Sequence, residues 1–140
     1  MDQVQKTNEW VENIISFWNE RKIKLEVGAS LKEISEVEYF IGIHFPYTFV
    51  ELYKKANGFR GNDWNTSMFS IWPLQRIKEK YRINNDTNFI GFCDYLINSH
   101  IIGFSKTKVG IFKDHDPLNP VALTFEESIE LIIYNSDLIY

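Results

Sequence analysis

Hydrophobic residues recur at helical spacing between Ser30 and Gly58, framed by residues that start and end helices. Ser30 and Glu33 have the spacing of a capping box, in which each side chain bonds the other residue's backbone N–H. Gly42 follows the last apolar position, where helices favour a left-handed residue. These signals predict a helix whose apolar face carries Leu31, Ile34, Val37 and Ile41.

A second helix is predicted directly after the first. Pro46 suits the first helical turn, because its missing N–H costs nothing there. The pair Asn57-Gly58 is typical of a helix end and is expected to close this helix. Its predicted apolar face comprises Phe49, Leu52, Tyr53 and Ala56.

Aromatic and aliphatic residues near the start of the chain predict an N-terminal helix. The residues on its predicted face are Trp10, Ile14, Phe17 and Trp18, with Val11 at the edge. Thr7 or Asn8 could cap this helix. Residues 22–27 alternate in polarity over a short stretch, so they form either the helix end or a brief strand.

The chain after Gly58 contains closely spaced apolar segments that predict strands. Hairpin links need only a few residues, so the spacing favours an antiparallel meander. The predicted strands cover residues 68–72, 88–93, 99–104, 109–112 and 121–123, with a short helix or turn over 73–81. Thr124 and Glu127 form a second capping box that opens a last helix. The order predicts an α+β fold, with N-terminal helices packed on a mostly antiparallel sheet and a C-terminal helix, in a single domain over residues 1–140.

Composition and charge narrow the classes of function. The net charge of −4 disfavours general nucleic-acid binding, which needs a basic footprint, and is compatible with a basic protein partner. The single cysteine, Cys93, lies in an apolar run, so we expect a buried and inert thiol rather than a nucleophile. The start of the chain is polar and no apolar run approaches the roughly 20 residues needed to span a bilayer, so a cytoplasmic protein is expected.

Asp114-His115-Asp116 is the most metal-like constellation, because carboxylates beside an imidazole can ligate a divalent ion. Pro117 and Pro120 explain the same segment as a surface turn, which is the preferred interpretation, so no metal and no cofactor are expected. His100 is expected to be a partly buried structural residue, and His44 to contact solvent or a backbone carbonyl. No nucleophile elbow and no phosphate-binding loop occurs in the sequence, so no catalytic residues are assigned.

Other polar and small residues have structural explanations. Glu33, Glu36 and Glu38 are better explained by a solvated helix face than by a catalytic cleft. Gly103 and Gly110 are expected to mark bulges or close packing within strands. In the polar loop after Gly58, Asp63 and Trp64 could either anchor a partner, since Trp is enriched at interface hot spots, or cover the sheet.

The order and spacing of these segments resemble the SUKH superfamily, named for its likeness to yeast regulators of cell-wall synthesis. The resemblance covers about Leu31 to Ile133. It is carried by residues 34–41, Phe45-Pro46, residues 49–53, Asn57-Gly58, Trp72-Pro73-Leu74 and residues 121–129. The resemblance implies that Phe45, Pro46, Asn57 and Gly58 are a structural signature.

The resemblance also implies a non-enzymatic immunity protein that binds and neutralises a cognate polymorphic toxin, for instance a nuclease. The alternatives are a general protein-interaction module of the same fold and a small metal-dependent hydrolase using Asp114, His115 and Asp116. The partner is expected to be a protein rather than a small molecule, a membrane or a nucleic acid. Its predicted contact residues are Asp63, Trp64, Asp114, His115 and Asp116.

Overall fold

The chain folds into helices that enclose and flank two antiparallel sheets, which confirms the α+β prediction. The computed structural model describes residues 2–60, 69–84, 86–95, 100–135 and 139. The helices are α1 (Gln3–Glu20), α2 (Leu31–Ile41), α3 (Tyr47–Lys55), α4 (Leu74–Ile83) and α5 (Phe125–Tyr134). The strands are β1 (Leu25–Val27), β2 (Ala56–Phe59), β3 (Phe69–Ile71), β4 (Phe89–Tyr95), β5 (His100–Ser105) and β6 (Ile111–Lys113).

Strands β3 to β6 form one antiparallel sheet in sequential order, and β1 pairs with β2 in a second. The predicted meander is therefore confirmed, with α4 inserted between β3 and β4. The strand predicted over residues 121–123 is wrong, because only a single bridge joins Ala122 to Ile111. Pro120 has no N–H to extend this pairing, and Thr124 already begins α5.

An aromatic cluster between α3, α5 and the sheet forms the centre of the core. Phe49 stacks on Phe45 and Tyr53, with ring centroids 4.0 and 4.1 Å apart, and meets Phe125 edge-on at 5.1 Å. Phe104 of β5 contacts the same rings from the sheet. The predicted apolar face of α3 is confirmed, because its members are all buried. Each such ring contributes about 1.5–3 kcal/mol by burial.

Helix α4 covers the opposite face of the sheet. Side chains alternate along a strand, so Asp94 points away from the aromatic cluster that Phe104 joins. Asp94 is 0% exposed, accepts a hydrogen bond from Trp72 Nε1 at 2.5 Å and lies 3.6 Å from the Arg76 guanidinium. The same guanidinium lies over the Trp72 ring at 4.7 Å. This buried ion pair fixes α4 against the sheet.

The predicted capping signals of α2 are confirmed. Ser30 and Glu33 form the reciprocal capping box, and Gly42 has a left-handed φ of 88°. Glu38 is half-buried, and its carboxylate accepts the Phe45 N–H at 2.7 Å, so it links α2 to the start of α3. The expectation of a purely solvated carboxylate was therefore wrong for Glu38, although Glu33 and Glu36 are exposed. Leu31, which was predicted on the apolar face of α2, lies outside the core with 57% exposure.

Asn57 and Gly58 do not close α3, which corrects the sequence prediction. Helix α3 ends at Lys55, and the chain continues directly as β2. The Asn57 side chain instead accepts the Leu74 N–H at 2.8 Å, so it caps α4. Gly58 has φ of 75°, and a Cβ there would lie 2.4 Å from the backbone of Trp72 and Pro73. The pair therefore holds β2 against the start of α4.

Helix α1 begins earlier than predicted. Asp2, rather than Thr7 or Asn8, caps it by accepting the Gln5 N–H at 2.8 Å. Val11 lies fully in the core rather than at its edge, because the buried face of α1 is centred between Val11 and Ile14. Residues 22–27 were predicted to form either the end of a helix or a brief strand. The structure has the brief strand, β1.

Candidate functional site

Only some of the contact residues predicted from the sequence lie in the part of the chain that the structure describes. Asp63 and Trp64 lie outside the described residues. Asp114 and His115 form an exposed turn after β6, as the preferred interpretation of this segment predicted, and Asp116 is half-buried and bridges back to Lys113. The Asp116 carboxylate accepts a hydrogen bond from Asn119 Nδ2 at 3.1 Å, so it serves the turn itself.

His100 joins this turn from the neighbouring strand. One ligand atom from each of His100, Asp114 and His115 lies within 4.8 Å of the other two, whereas Asp116 does not belong to the group. His100 is half-buried, as predicted, with its ring centroid 5.0 Å from Tyr95 and 4.8 Å from His115. Sequence spacing could not reveal this group, because strand pairing brings its members together.

A groove runs beside α4, along the part of that sheet face which the helix does not cover, and we call it the sheet groove. It comprises two adjoining hollows of about 240 and 280 Å³ that share Phe89 and Asp114. Gly91 lines the groove and pairs with Gly103, and the register shifts beside Gly91. A Cβ on Gly103 would lie 2.2 Å from the Ile90 carbonyl oxygen, so the close packing predicted as one alternative for Gly103 is confirmed.

Cations are concentrated in the segment that contains α4 and strands β4 to β6. Residues 69–113 hold seven Lys and Arg against three Asp and Glu, although the whole chain is acidic. The seven, which we call the basic segment, are Arg76, Lys78, Lys80, Arg82, Lys106, Lys108 and Lys113. A count of charge by segment could have revealed this from the sequence.

Most cations of the basic segment are already engaged within the fold. Arg76 pairs with buried Asp94, and Arg82 bonds Glu79 at 2.8 Å. The other contacts are those of Lys78 with the Phe40 ring, Lys106 with Tyr81 Oη, Lys108 with the Pro117 carbonyl and Lys113 with the Ile139 carbonyl. Most of these contacts join different segments of the fold, whereas Arg82 and Glu79 both lie within α4.

Carboxylates are concentrated on α1 and α5, which both pack on α3 and meet each other through side chains. Trp10 of α1 meets Phe125 edge-on at 6.4 Å and donates from Nε1 to Glu130 at 3.1 Å, and Phe17 meets Tyr134 at 5.4 Å. The two helices contain a single cation, Lys6. Their carboxylates, which we call the acidic helix face, are Glu9, Glu12, Glu20, Glu126, Glu127 and Glu130.

The acidic helix face differs from the basic segment in how its charges are used. Within the described part of the chain, only Glu130 of the six forms a side-chain hydrogen bond or ion pair. Glu9, Glu12 and Glu127 are exposed and form no ion pair within the described residues, although Glu12 lines a hollow that also contains Lys54 and Lys55. This face therefore presents carboxylates that the fold leaves available.

The one cysteine is unsuited to nucleophilic chemistry. Cys93 is fully buried, and burial together with the adjacent Asp94 carboxylate raises the pKa of its thiol well above the usual value. Burial likewise raises the pKa of Tyr53, whose hydroxyl donates to the Trp72 carbonyl at 2.6 Å. Both groups are therefore neutral near pH 7 and structural, as predicted for Cys93.

Comparison with known families identifies the fold. Residues 28–131 match the SMI1 / KNR4 family (SUKH-1). The chain belongs to this family. The SUKH-1 match covers well over half of the chain and includes all of α4, but it does not reach α1. A search of curated proteins finds no match to the chain.

The signature residues expected for this superfamily have structural positions. Phe45 is buried in the aromatic cluster, Pro46 precedes α3, and Asn57 and Gly58 hold the start of α4. Among the described residues, none of the helices has the length and apolar character to cross a bilayer.

Proposed function

We propose that the chain is a non-enzymatic, cytoplasmic immunity protein that neutralises a cognate toxin domain by binding it. SUKH-1 membership supports a protein-binding role. The observation that carries the proposal furthest is the acidic helix face, whose carboxylates have almost no partners within the described residues. A cationic protein surface is the partner that such a face fits.

Two pairs of carboxylates on the acidic helix face repel each other. Glu9 and Glu12, and likewise Glu127 and Glu130, are three residues apart on their helices. Like charges at this spacing destabilise a helix by about 0.2–0.5 kcal/mol for each pair. A partner that brings Lys and Arg to this face would relieve the repulsion, so the carboxylates gain their favourable contacts on binding.

A nuclease toxin has the complementary chemistry. A domain that binds nucleic acid presents Lys and Arg to phosphates, and the acidic helix face could occupy that surface. Opposite charge also speeds encounter, raising association rates by about 10- to 1,000-fold at low salt. Fast association suits a protein that must reach a toxin before the toxin acts.

The basic segment is a poorer candidate for the principal contact. Most of its cations already contact carboxylates, rings, a hydroxyl or carbonyl oxygens of the same chain. A partner would have to displace these contacts before it gained new ones. A cationic partner is therefore favoured over an anionic one.

The turn of Asp114, His115 and Asp116, together with Asp63 and Trp64, remains a second proposed contact. This surface is a prediction from the sequence, and it can be tested in the same assay as the helix face. Separate substitutions in the turn and on α1 will show which surface the partner uses.

The test is co-expression with the toxin domain encoded by the adjacent gene, measured as cell survival. We expect the unmodified chain to protect, and Glu12→Lys combined with Glu127→Lys to protect poorly. Glu36→Lys is the matched control, because Glu36 is also an exposed helical glutamate, lies on α2 and makes no ion pair within the described residues.

Survival that does not depend on this chain would overturn the immunity role. A general interaction module of the same fold would then be the remaining interpretation, and the purified chain would bind a cationic protein other than a toxin. Protection lost equally in Glu36→Lys and in the double variant would retain the immunity role but reject the acidic helix face.

A further inference from the structure

The turn after β6 and the start of β5 bring together ligands suited to a metal. We propose that His100, Asp114 and His115 bind one divalent cation of the zinc class. This site differs from the metal-like constellation of the sequence, because His100 replaces Asp116. It also reverses the expectation that the chain has no metal site.

Strand pairing builds the site. Ile102 of β5 pairs with Lys113 of β6, and the Asp114 N–H donates to the Ile101 carbonyl at 2.9 Å, which extends the ladder by one residue. This register places His100 beside the Asp114-His115 turn. The three ligands thus come from two hydrogen-bonded segments, whose backbones the sheet already holds in position.

The ligand set matches zinc chemistry. Imidazole nitrogens and carboxylate oxygens bind Zn²⁺ at about 2.0–2.2 Å, so tetrahedral ligand atoms lie roughly 3.3–3.5 Å apart. The atoms here lie within 4.8 Å of one another, and Asp114 and His115 are exposed, so side-chain rotation can close the gap. A two-imidazole, one-carboxylate set favours zinc and related transition metals over Mg²⁺ or Ca²⁺, which prefer all-oxygen sites.

Neighbouring side chains restrict the ligands. The His100 ring lies 5.0 Å from Tyr95, which is buried, so the imidazole is held on one side. The Asp114 carboxylate lies 3.2 Å from His115 Nδ1, and a cation would replace this contact with two metal bonds. Three protein ligands leave a tetrahedral position open for water or for another molecule.

A bound cation would join the start of β5 to the turn after β6. Asp114 also lines both hollows of the sheet groove, so one ligand of the cation would border the groove. We therefore expect metal binding to stabilise this end of the sheet against unfolding, because an ion that binds only the folded chain shifts the equilibrium toward it.

The test uses the purified chain without an affinity tag, titrated with Zn²⁺ alone by calorimetry and with Co²⁺ alone by absorption spectroscopy. We expect one ion per chain, a Co²⁺ spectrum of low coordination number, and a higher Tm with Zn²⁺. His100→Ala, His115→Ala and Asp114→Asn should each weaken Zn²⁺ binding by at least about tenfold, since even outer-shell changes cost about 10- to 100-fold.

His44→Ala is the matched control, because His44 is the remaining histidine and its side chain is 98% exposed beside Glu38. This variant should bind Zn²⁺ as the unmodified chain does. Circular dichroism of each variant without metal separates loss of the site from loss of the fold, and Asp114→Asn keeps the shape of the turn. Failure to bind Zn²⁺ at micromolar concentration, or binding retained in the ligand variants, would overturn the proposal.

Discussion

The acidic helix face and the basic segment use their charges in opposite ways. On the basic segment, Arg76 is paired with a buried carboxylate, and other cations contact rings and carbonyl oxygens. On the acidic helix face, α1 and α5 are held by apolar and aromatic contacts, and only Glu130 has a side-chain partner among the described residues. Charges of the first kind maintain the fold, whereas charges of the second kind are available to another molecule.

This difference separates scaffold from proposed interface within one family fold. Helix α4 and the α5 carboxylates lie inside the SUKH-1 match, whereas α1 and its carboxylates lie outside it. Substitutions in the two regions should therefore have different consequences. Those near α4 should lower stability, and those on the acidic helix face should change binding while leaving stability nearly unaltered.

The largest effect on stability is expected for Arg76→Ala. It leaves Asp94 buried without its cation, and breaking a buried pair in this way costs about 3–5 kcal/mol of unfolding free energy. Urea denaturation measures the change, with Lys80→Ala as the control on an exposed position of α4. Equal stability of these two variants would contradict the scaffold role of the Arg76–Asp94 pair.

Alkaline pH should lower stability next most strongly. Burial raises the pKa of Cys93 and of Tyr53, so above about pH 8.5 the unfolded chain loses protons that the folded chain retains. The free energy of unfolding should then fall by up to about 1.4 kcal/mol for each pH unit and each such group. Urea denaturation from pH 7 to 10 measures the slope, and Cys93→Val should reduce it just above pH 8.5. An unchanged slope in that variant would reject the contribution of the thiol.

Asn57→Ala should have a smaller effect, because it removes only the cap of α4. The loss of the hydrogen bond to the Leu74 N–H should cost about 1 kcal/mol. Thermal denaturation measures it, with Asn19→Ala as a control at an exposed asparagine of α1. A loss no greater than that of the control would mean that Asn57 does not anchor α4.

The smallest effect on stability is expected on the acidic helix face. Glu12→Ala and Glu127→Ala remove exposed carboxylates that lack ion-pair partners in the described structure, so stability should change by less than about 0.5 kcal/mol. For Glu12→Ala the change should be toward greater stability, since repulsion from Glu9 decreases, whereas Glu127→Ala also removes a carboxylate from the first turn of α5, where negative charge is favourable. A loss of several kcal/mol in urea denaturation would show that these carboxylates support the fold after all.

Features that depend on residues close together in the sequence were predicted correctly. The Ser30–Glu33 capping box, Gly42 and the buried face of α3 are all confirmed, because their contacts lie within a few residues. The role of Asn57 was missed, because its partner Leu74 lies seventeen residues further along the chain. Strand register likewise determines that His100, rather than Asp116, joins Asp114 and His115.

The contrast between the acidic helices and the basic segment could be predicted only in part from the sequence. The net charge of −4 averages an acidic α1 and α5 with a basic segment, and counting by segment would have separated them. Whether each charge is engaged could not be counted, because ion pairs such as Arg76–Asp94 join residues from different elements. That property depends on the folded structure, and it is what distinguishes the two regions.

The most direct test of the central claim is the rate at which the purified chain associates with an inactivated form of the toxin domain encoded beside it. The account predicts fast association that slows steeply as salt rises, and association about tenfold or more slower in Glu12→Lys combined with Glu127→Lys at low salt. Glu36→Lys and Lys80→Ala should associate at nearly the unmodified rate. A double variant that associates as fast as the unmodified chain, at every salt concentration, would contradict the claim that the acidic helix face meets the partner.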